Sequence, residues 1–321
     1  MKILVAGATG AIGRPLVAQL VAAGHEVIGL TRNESRAADL REQGATPIIC
    51  DVLDTAASRR VVLDVKPEVV IDQLTSLARK YDVRKLAEIY APNNQVRRVG
   101  TRGLIDAAKE AGVRRYIVQS IAFLYRPGGT GPNVETDGAW VDAPGPFAEA
   151  VRIPVENERL VTEATEFEGL ALRYGFLYGP GTYLASDGSF AEQVRKRQFP
   201  IVGRGTGVTS YVHVSDAAAA TVSAVEHGAP GIYNIVDDDP TPMREWLPIY
   251  AEILGAKPPR RMPAWIAGLA ADRAVAQAAT GARGASNAKA KGELGWEPAV
   301  PSWRDGFEKY LDGDPQGSVD A

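Results

Sequence analysis

The amino terminus reads as strand, glycine turn and helix, an order that few folds accommodate. Residues 2–6 (KILVA) form an apolar run too short for a stable helix, so they read as a buried strand. Gly7-Ala-Thr-Gly10-Ala-Ile-Gly13 follows. Residues 11–23 then take up helical spacing, with Ile12, Leu16 and Leu20 on one face, and Gly24 stands where a carboxyl-terminal cap belongs. A tight turn at this place needs glycine, and close approach to a pyrophosphate leaves no room for side chains. The helix amino terminus presents free N–H groups to the phosphates. The context favours dinucleotide binding over a plain turn and nominates Gly7, Thr9, Gly10, Ala11, Ile12 and Gly13 as cofactor contacts.

The alternation continues along the chain. Strands are expected at residues 26–30, 46–50, 69–72, 116–119 and 170–174, with helices at 35–43 and 55–65 and a long helical region ending at Ala111. This predicts an α/β fold: a Rossmann-type doubly wound parallel sheet covered on both faces. After residue 175, segments rich in Gly and Pro interrupt short elements, as expected of a smaller C-terminal α/β substrate lobe. The expected division is residues 1–175 for the nucleotide domain, with 211–235 returning to it, 176–311 for the second lobe, and 312–321 as a frayed tail.

The end of the second strand should select the ribose. Where NAD is preferred, an acid stands about 20 positions beyond the glycine turn. Here the strand ends Leu30-Thr31-Arg32-Asn33, and Arg36 lies one turn further on. Arginines there can pair with a 2′-phosphate, so NADP(H) is expected, with NAD as the alternative. Asp51 and Val52 after the third strand, and Leu74 and Thr75 after the fourth, should line the same cofactor. Tyr174, closing the sixth strand, is counted with them.

Composition narrows the chemistry. The 321 residues carry one Cys, three scattered His and a net charge of −3. A lone Cys50 cannot form an intramolecular disulfide, which fits a reducing, cytoplasmic setting. No zinc spacing is present and no metal is expected. The near-neutral balance gives no footprint for nucleic acid or an anionic membrane. Residues 265–280 are Ala-rich, but Asp272 and Arg273 make them a globular helix rather than a span.

Further motifs resemble those of the extended short-chain dehydrogenase/reductase family, the epimerase/dehydratase group. Gly100-Thr101 with its following helix, Leu172-Arg173-Tyr174 through Tyr178-Gly179-Pro180-Gly181, Tyr211-Val-His213-Val-Ser-Asp216, Tyr233-Asn234 and Leu294-Gly295-Trp296 all resemble that family in order. The resemblance implies a Tyr-x-x-x-Lys pair on a mid-chain helix. Anchoring on Glu158-Arg159-Leu160 puts Ala150 and Pro154 at those two positions, and neither transfers a proton. Register from Tyr125 puts Ile121 at the family serine, with Ser120 just before it. Phe176 replaces the Asn expected to contact a sugar nucleotide, and Thr209-Ser210 replace an expected Arg. The resemblance therefore disfavours a nucleotide-sugar substrate.

Ser120, Tyr125, Tyr178 and Arg152 are the catalytic candidates, and Phe123, Trp140 and Phe176 the substrate contacts, for a small and largely apolar molecule. His213 is expected to pack at a helix start, and Asp237-Asp238-Asp239 to form a solvated turn. A tyrosine without its lysine stays protonated at neutral pH, which tilts the expectation toward a reductase of a carbonyl. Two alternatives stand beside it: an NADP-binding sensor or scaffold without turnover, and a redox-neutral isomerase, cyclase or dehydratase. Family members often dimerise through two long mid-domain helices. The charge-rich stretch 79–98 neither demands nor forbids a homodimer here.

Overall fold

The computed structural model describes residues 1–77, 80, 85–270 and 273–311. The chain opens as β1 (Lys2–Ala6), α1 (Gly13–Ala22), β2 (Glu26–Thr31), α2 (Glu34–Glu42), β3 (Thr46–Ile49), α3 (Thr55–Val65) and β4 (Val69–Asp72). Next come α4 (Leu86–Gln95), a π-helical turn (Val96–Thr101), α5 (Arg102–Ala111), β5 (Arg115–Ile121), α6 (Phe147–Thr162) and β6 (Glu168–Tyr174). The second half holds β7 (Phe176–Tyr178), α7 (Ser189–Arg195), β8 (Ile201–Val202), β9 (Val208–Thr209), β10 (Tyr211–His213), α8 (Val214–Glu226) and β11 (Gly231–Ile235). It ends with β12 (Thr241–Pro242), α9 (Met243–Ile253), β13 (Arg261–Met262), α10 (Ala264–Ala270), α11 (Arg273–Gly281), α12 (Ala288–Leu294) and α13 (Trp303–Leu311).

Seven parallel strands form the main sheet in the order β11-β6-β5-β4-β1-β2-β3. Alternate residues of each strand face opposite layers. Ile3, Val5, Ile71, Ile117 and Leu172 pack with Leu16, Leu20, Ala220 and Leu294 from α1, α8 and α12. Leu4, Val70, Tyr116 and Ala171 pack with Val62, Leu104, Ala108 and Val161 from α3, α5 and α6. Burial on both faces explains why these strands read as unbroken apolar runs. Ala6 lies opposite both Leu30 and Asp72, so the carboxyl ends of the central strands form one edge.

Three elements differ from expectation for visible reasons. Helix α1 begins at Gly13 because residues 7–12 are spent on the turn, with Gly7 at φ +82°. Strand β5 starts at Arg115, whose guanidinium is buried and donates to the carbonyls of Ala224 and His227, at 2.8 and 2.7 Å. Residues 73–77 are not helical, and the helical region starts at Leu86 among the described residues. Its π turn carries Gly100, where a Cβ would come within 2.9 Å of Val52 Cγ2. That close approach is the physical demand behind the Gly100-Thr101 motif.

Three two-stranded pairs, β7–β10, β8–β13 and β9–β12, join short helices in the second half. Its core is aromatic: Tyr178, Tyr211, Trp246, Tyr250, Trp303 and Phe307. The turn after β11 corrects one expectation, because Asp237 is 2% exposed, Asp239 is half-buried and Asp238 alone of the three is exposed. Among the described residues no helix is long and apolar enough to cross a membrane, and no His/Cys/Asp/Glu group could hold a metal ion. Residues 312–321 and Asp272 lie outside the described residues, as does part of the 79–98 stretch.

Candidate active site

The sheet edge carries a cradle shaped by missing side chains. A Cβ on Gly7 would stand 2.5 Å from the Gln73 carbonyl oxygen, and one on Gly13 would stand 2.2 Å from that of Gly7. Gly10 N–H donates to the Gly7 carbonyl at 3.0 Å and closes the turn. Helix α1 has no side-chain cap and no acid in its first turn, so its own residues do not compete with an anion there. The loop after β7 approaches from the other side, and a Cβ on Gly181 would lie 3.8 Å from Ala11 Cβ. Gln73 is buried at the same edge, and its side-chain carbonyl has no partner. An orphaned buried acceptor costs free energy until something donates to it. Turn, uncapped helix and orphan acceptor all fit a bound dinucleotide.

At the β2 end the side chains divide by role. Thr31 is buried, and its hydroxyl accepts from Asn33 N–H at 3.2 Å. Asn33 caps α2, accepting from Ser35 N–H at 3.0 Å. Both side chains therefore shape the turn that follows β2. Arg32 stands exposed between them and Arg36 is half-buried; the nearby acid Glu34 is taken by Arg41 at 3.8 Å. Asp51 is exposed and one oxygen accepts from Leu53 N–H at 3.0 Å, while Val52 is buried beneath Gly100. Leu74 is half-buried and Thr75 exposed beside the edge. Tyr174 is 1% exposed, and its hydroxyl bonds Gln73 Nε2 and Thr221.

The four catalytic candidates lie elsewhere than expected. Ser120 is fully buried and donates to Glu158 Oε1. Glu158 receives a two-pronged pair from Arg173, at 2.7 and 2.6 Å. Arg173 also donates to the Tyr125 hydroxyl at 2.8 Å, and that hydroxyl donates to Asn234 Oδ1 at 2.7 Å. Burial opposes the charge on Arg173, but Glu158 outweighs it and holds the guanidinium firmly protonated. Burial also pushes the Tyr125 phenol up, with Arg173 pulling against it. Ser120 and Tyr125 thus belong to a buried network tying β5, β6, β11 and α6 together. Tyr178 is fully buried against Gly306 and Phe307, in the second core. Arg152 lies on the exposed face of α6 and donates to the Val141 carbonyl at 2.8 Å. Two helix positions separate it from Ala150 and from Pro154, which puts it on the opposite face.

Among the expected substrate contacts, Phe123 and Phe176 stack at 4.4 Å between ring centroids and 27° between planes. Phe176 is 41% exposed. Trp140 is buried, with its ring tilted against Phe147. Ala150 and Pro154 are buried on α6, with no titratable atom to offer. His213 behaves as expected of a packed residue: it caps α8 through Nδ1, and burial lowers its pKa to about 4. Sequence reading missed Gln73, which directly follows β4 beside Leu74, a usable signal.

Compared with known proteins, residues 3–236 match the NAD dependent epimerase/dehydratase family. The chain belongs to that family. It is 45% identical over 308 residues to a "3-diazoavenalumate denitrifying reductase" of Streptomyces sp., covering 96% of this chain and 99% of that protein. It is 29% identical to a farnesylated dihydroquinoline-oxide ketoreductase of Stigmatella aurantiaca, over 80% of this chain and 74% of the other. The UDP-glucose 4-epimerase of Thermotoga maritima shares the fold, with a TM-score of 0.74 at 24% identity, covering 97% and 98% of the two chains. Family and relatives make this chain an oxidoreductase of small molecules, of the extended short-chain dehydrogenase/reductase type.

Proposed function

We propose that the protein is an NADPH-dependent reductase of a small, aromatic, non-nucleotide-sugar molecule, and that the acceptor is a diazo group. The observation that carries this is the pair Ala150 and Pro154, buried where the family's proton-handling pair would stand. Reducing a carbonyl leaves charge on oxygen, which a positioned donor must stabilise. An arenediazonium makes no such demand: hydride adds at its terminal nitrogen, the resulting diazene loses N2, and the N–H hydrogen ends on the ring carbon. The Streptomyces relative, whose name describes loss of nitrogen from a diazo compound, supports the reading.

NADPH supplies the hydride when bound. Gly7, Gly10 and Gly13 give it backbone access, Arg32 and Arg36 hold the 2′-phosphate, and Asp51, Leu74 and Thr75 line it. Phe123 and Phe176 offer a flat apolar face to an arene. A carbonyl acceptor is the second reading, favoured by the ketoreductase relative. The test follows NADPH oxidation and N2 release with arenediazonium salts beside a panel of ketones. Stoichiometric N2 with slower ketone turnover supports the proposal. Ketone turnover alone establishes the second reading, and tight NADPH binding with no turnover establishes a sensor.

A further inference from the structure

We infer that Arg97 holds the nicotinamide half of the dinucleotide, donating hydrogen bonds to its ribose oxygens; this rests on the cofactor reading above. Arg97 lies in the π turn and is 5% exposed. Among the described residues its guanidinium makes no hydrogen bond and no ion pair, and its nitrogens are not sealed from solvent. A guanidinium carries five N–H donors and no acceptor, so burying it is costly until acceptors meet it. The two acids that act on it are already spent. Asp72 Oδ1 accepts from Leu74 N–H at 2.9 Å, and Oδ2 accepts from the Tyr116 hydroxyl at 3.1 Å. Glu158 is taken up by Arg173 and Ser120. These acids favour the charge on Arg97 against the effect of burial, but they leave its donors unused.

The surrounding contacts put this cation at the sheet edge. Four residues before it, Asn93 accepts from Ser76 N–H at 3.1 Å; three residues after it, a Cβ on Gly100 would meet Leu74 Cδ1 at 3.5 Å. This stretch of helix therefore covers the segment that leaves β4. The Arg97 carbonyl accepts from Asn157 Nδ2 at 3.0 Å, which ties the π turn to α6. Pro154 stands one turn before Glu158, and the buried residues of α6 include no cation, so Arg97 brings one to that helix. Strand order decides which half of the cofactor it meets. Strands β2 and β3 lie beyond β1 on one side, and β4, β5 and β6 lie on the other. A dinucleotide straddles such a reversal of strand order. Arg32 and Asp51 follow β2 and β3, on the adenosine side. Asp72 ends β4, and Glu158 is bound to Ser120 of β5, so the cation they act on belongs to the nicotinamide side. A ribose diol offers that forked donor two neighbouring oxygens.

The test compares whole dinucleotides with their adenosine halves by titration calorimetry: NADP+ against 2′,5′-ADP, and NAD+ against ADP. Arg97→Met should lose at least ~10-fold in affinity for the dinucleotide, the worth of one charge-assisted hydrogen bond, and keep the affinity for its adenosine half. A residue that only balances Asp72 and Glu158 would not separate the two ligands. No loss for the dinucleotide, or an equal loss for both members of a pair, therefore overturns the inference. Arg97→Lys retains the charge that Asp72 and Glu158 face but not the planar fork, and it should show a smaller loss confined to the same ligand. Where Arg97→Met does not fold, Arg97→Lys decides by the same comparison. Wild type that binds neither pair overturns the cofactor reading itself, and the inference with it.

Discussion

At the scale of single residues, the buried Glu158–Arg173 pair dominates. Their side chains are 2% and 4% exposed, and the pair organises Ser120 and Tyr125 around itself. Such a pair is not a stability gain over packed apolar groups, but losing one partner strands the other charge. Glu158→Gln should therefore destabilise the fold by ~3–5 kcal/mol, read from urea denaturation. Ser120→Ala removes one hydroxyl that donates to the Glu158 carboxylate, so it should lower stability by ~1.5–3 kcal/mol while leaving turnover within about threefold of the parent. A loss of several orders of magnitude in Ser120→Ala would return that serine to the reaction. Arg32→Asp tests the cofactor end. It should reverse the NADPH-over-NADH preference in the ratio of kcat/KM, because it replaces a phosphate partner with a like charge. An unchanged ratio would remove Arg32 from the site.

At the scale of elements, the strand–turn–helix unit was legible because its demands are local. Gly13 is needed by a backbone oxygen of its own turn, and no distant residue enters the argument. Gly13→Ala should cut NADPH affinity by at least ~10-fold while the rest of the sheet persists, since backbone cannot yield as a side chain would. Equilibrium dialysis beside circular dichroism checks both halves of that statement. The helix α6 assignment also came from sequence, through Glu158-Arg159-Leu160, and Ala150 and Pro154 both lie buried on that helix. What sequence could not supply was which way β5 and β6 turn their side chains at the edge. A strand alternates its faces, so Ser120 points to α6 and Glu158, and a one-residue change in register would reverse that.

At the scale of the whole molecule, the junction between the parallel sheet and the second core is made of residues the sequence placed wrongly. Asp237 follows β11 in a run of three acids, which looks like a solvated turn. Instead its backbone N–H donates to the Tyr211 carbonyl at 2.7 Å, and its side chain is shut in where strand β11 meets the aromatic core. Among the described residues neither carboxylate oxygen has a well-aligned donor, and the Tyr178 hydroxyl, which feels its charge, has no partner either. Burial pushes the Asp237 carboxyl up to about 8, and the backbone N–H groups of Asp239 and Trp303 oppose that only in part. In the unfolded chain an aspartate titrates near ~3.9. Between those two values the folded state holds a proton that the unfolded state has released. Stability contributed by this group is therefore present below about pH 4 and falls as pH rises toward about 8, with a limiting slope of ~1.4 kcal/mol per pH unit. Above that range both states are ionised and the loss is complete. Asp237→Asn carries no titrating proton, so urea denaturation of the variant should lack this decline, and the variant should outlast the parent at pH 9 by more than at pH 5. Parallel stability profiles for the two proteins would show that the Asp237 carboxyl is ionised in the folded state throughout.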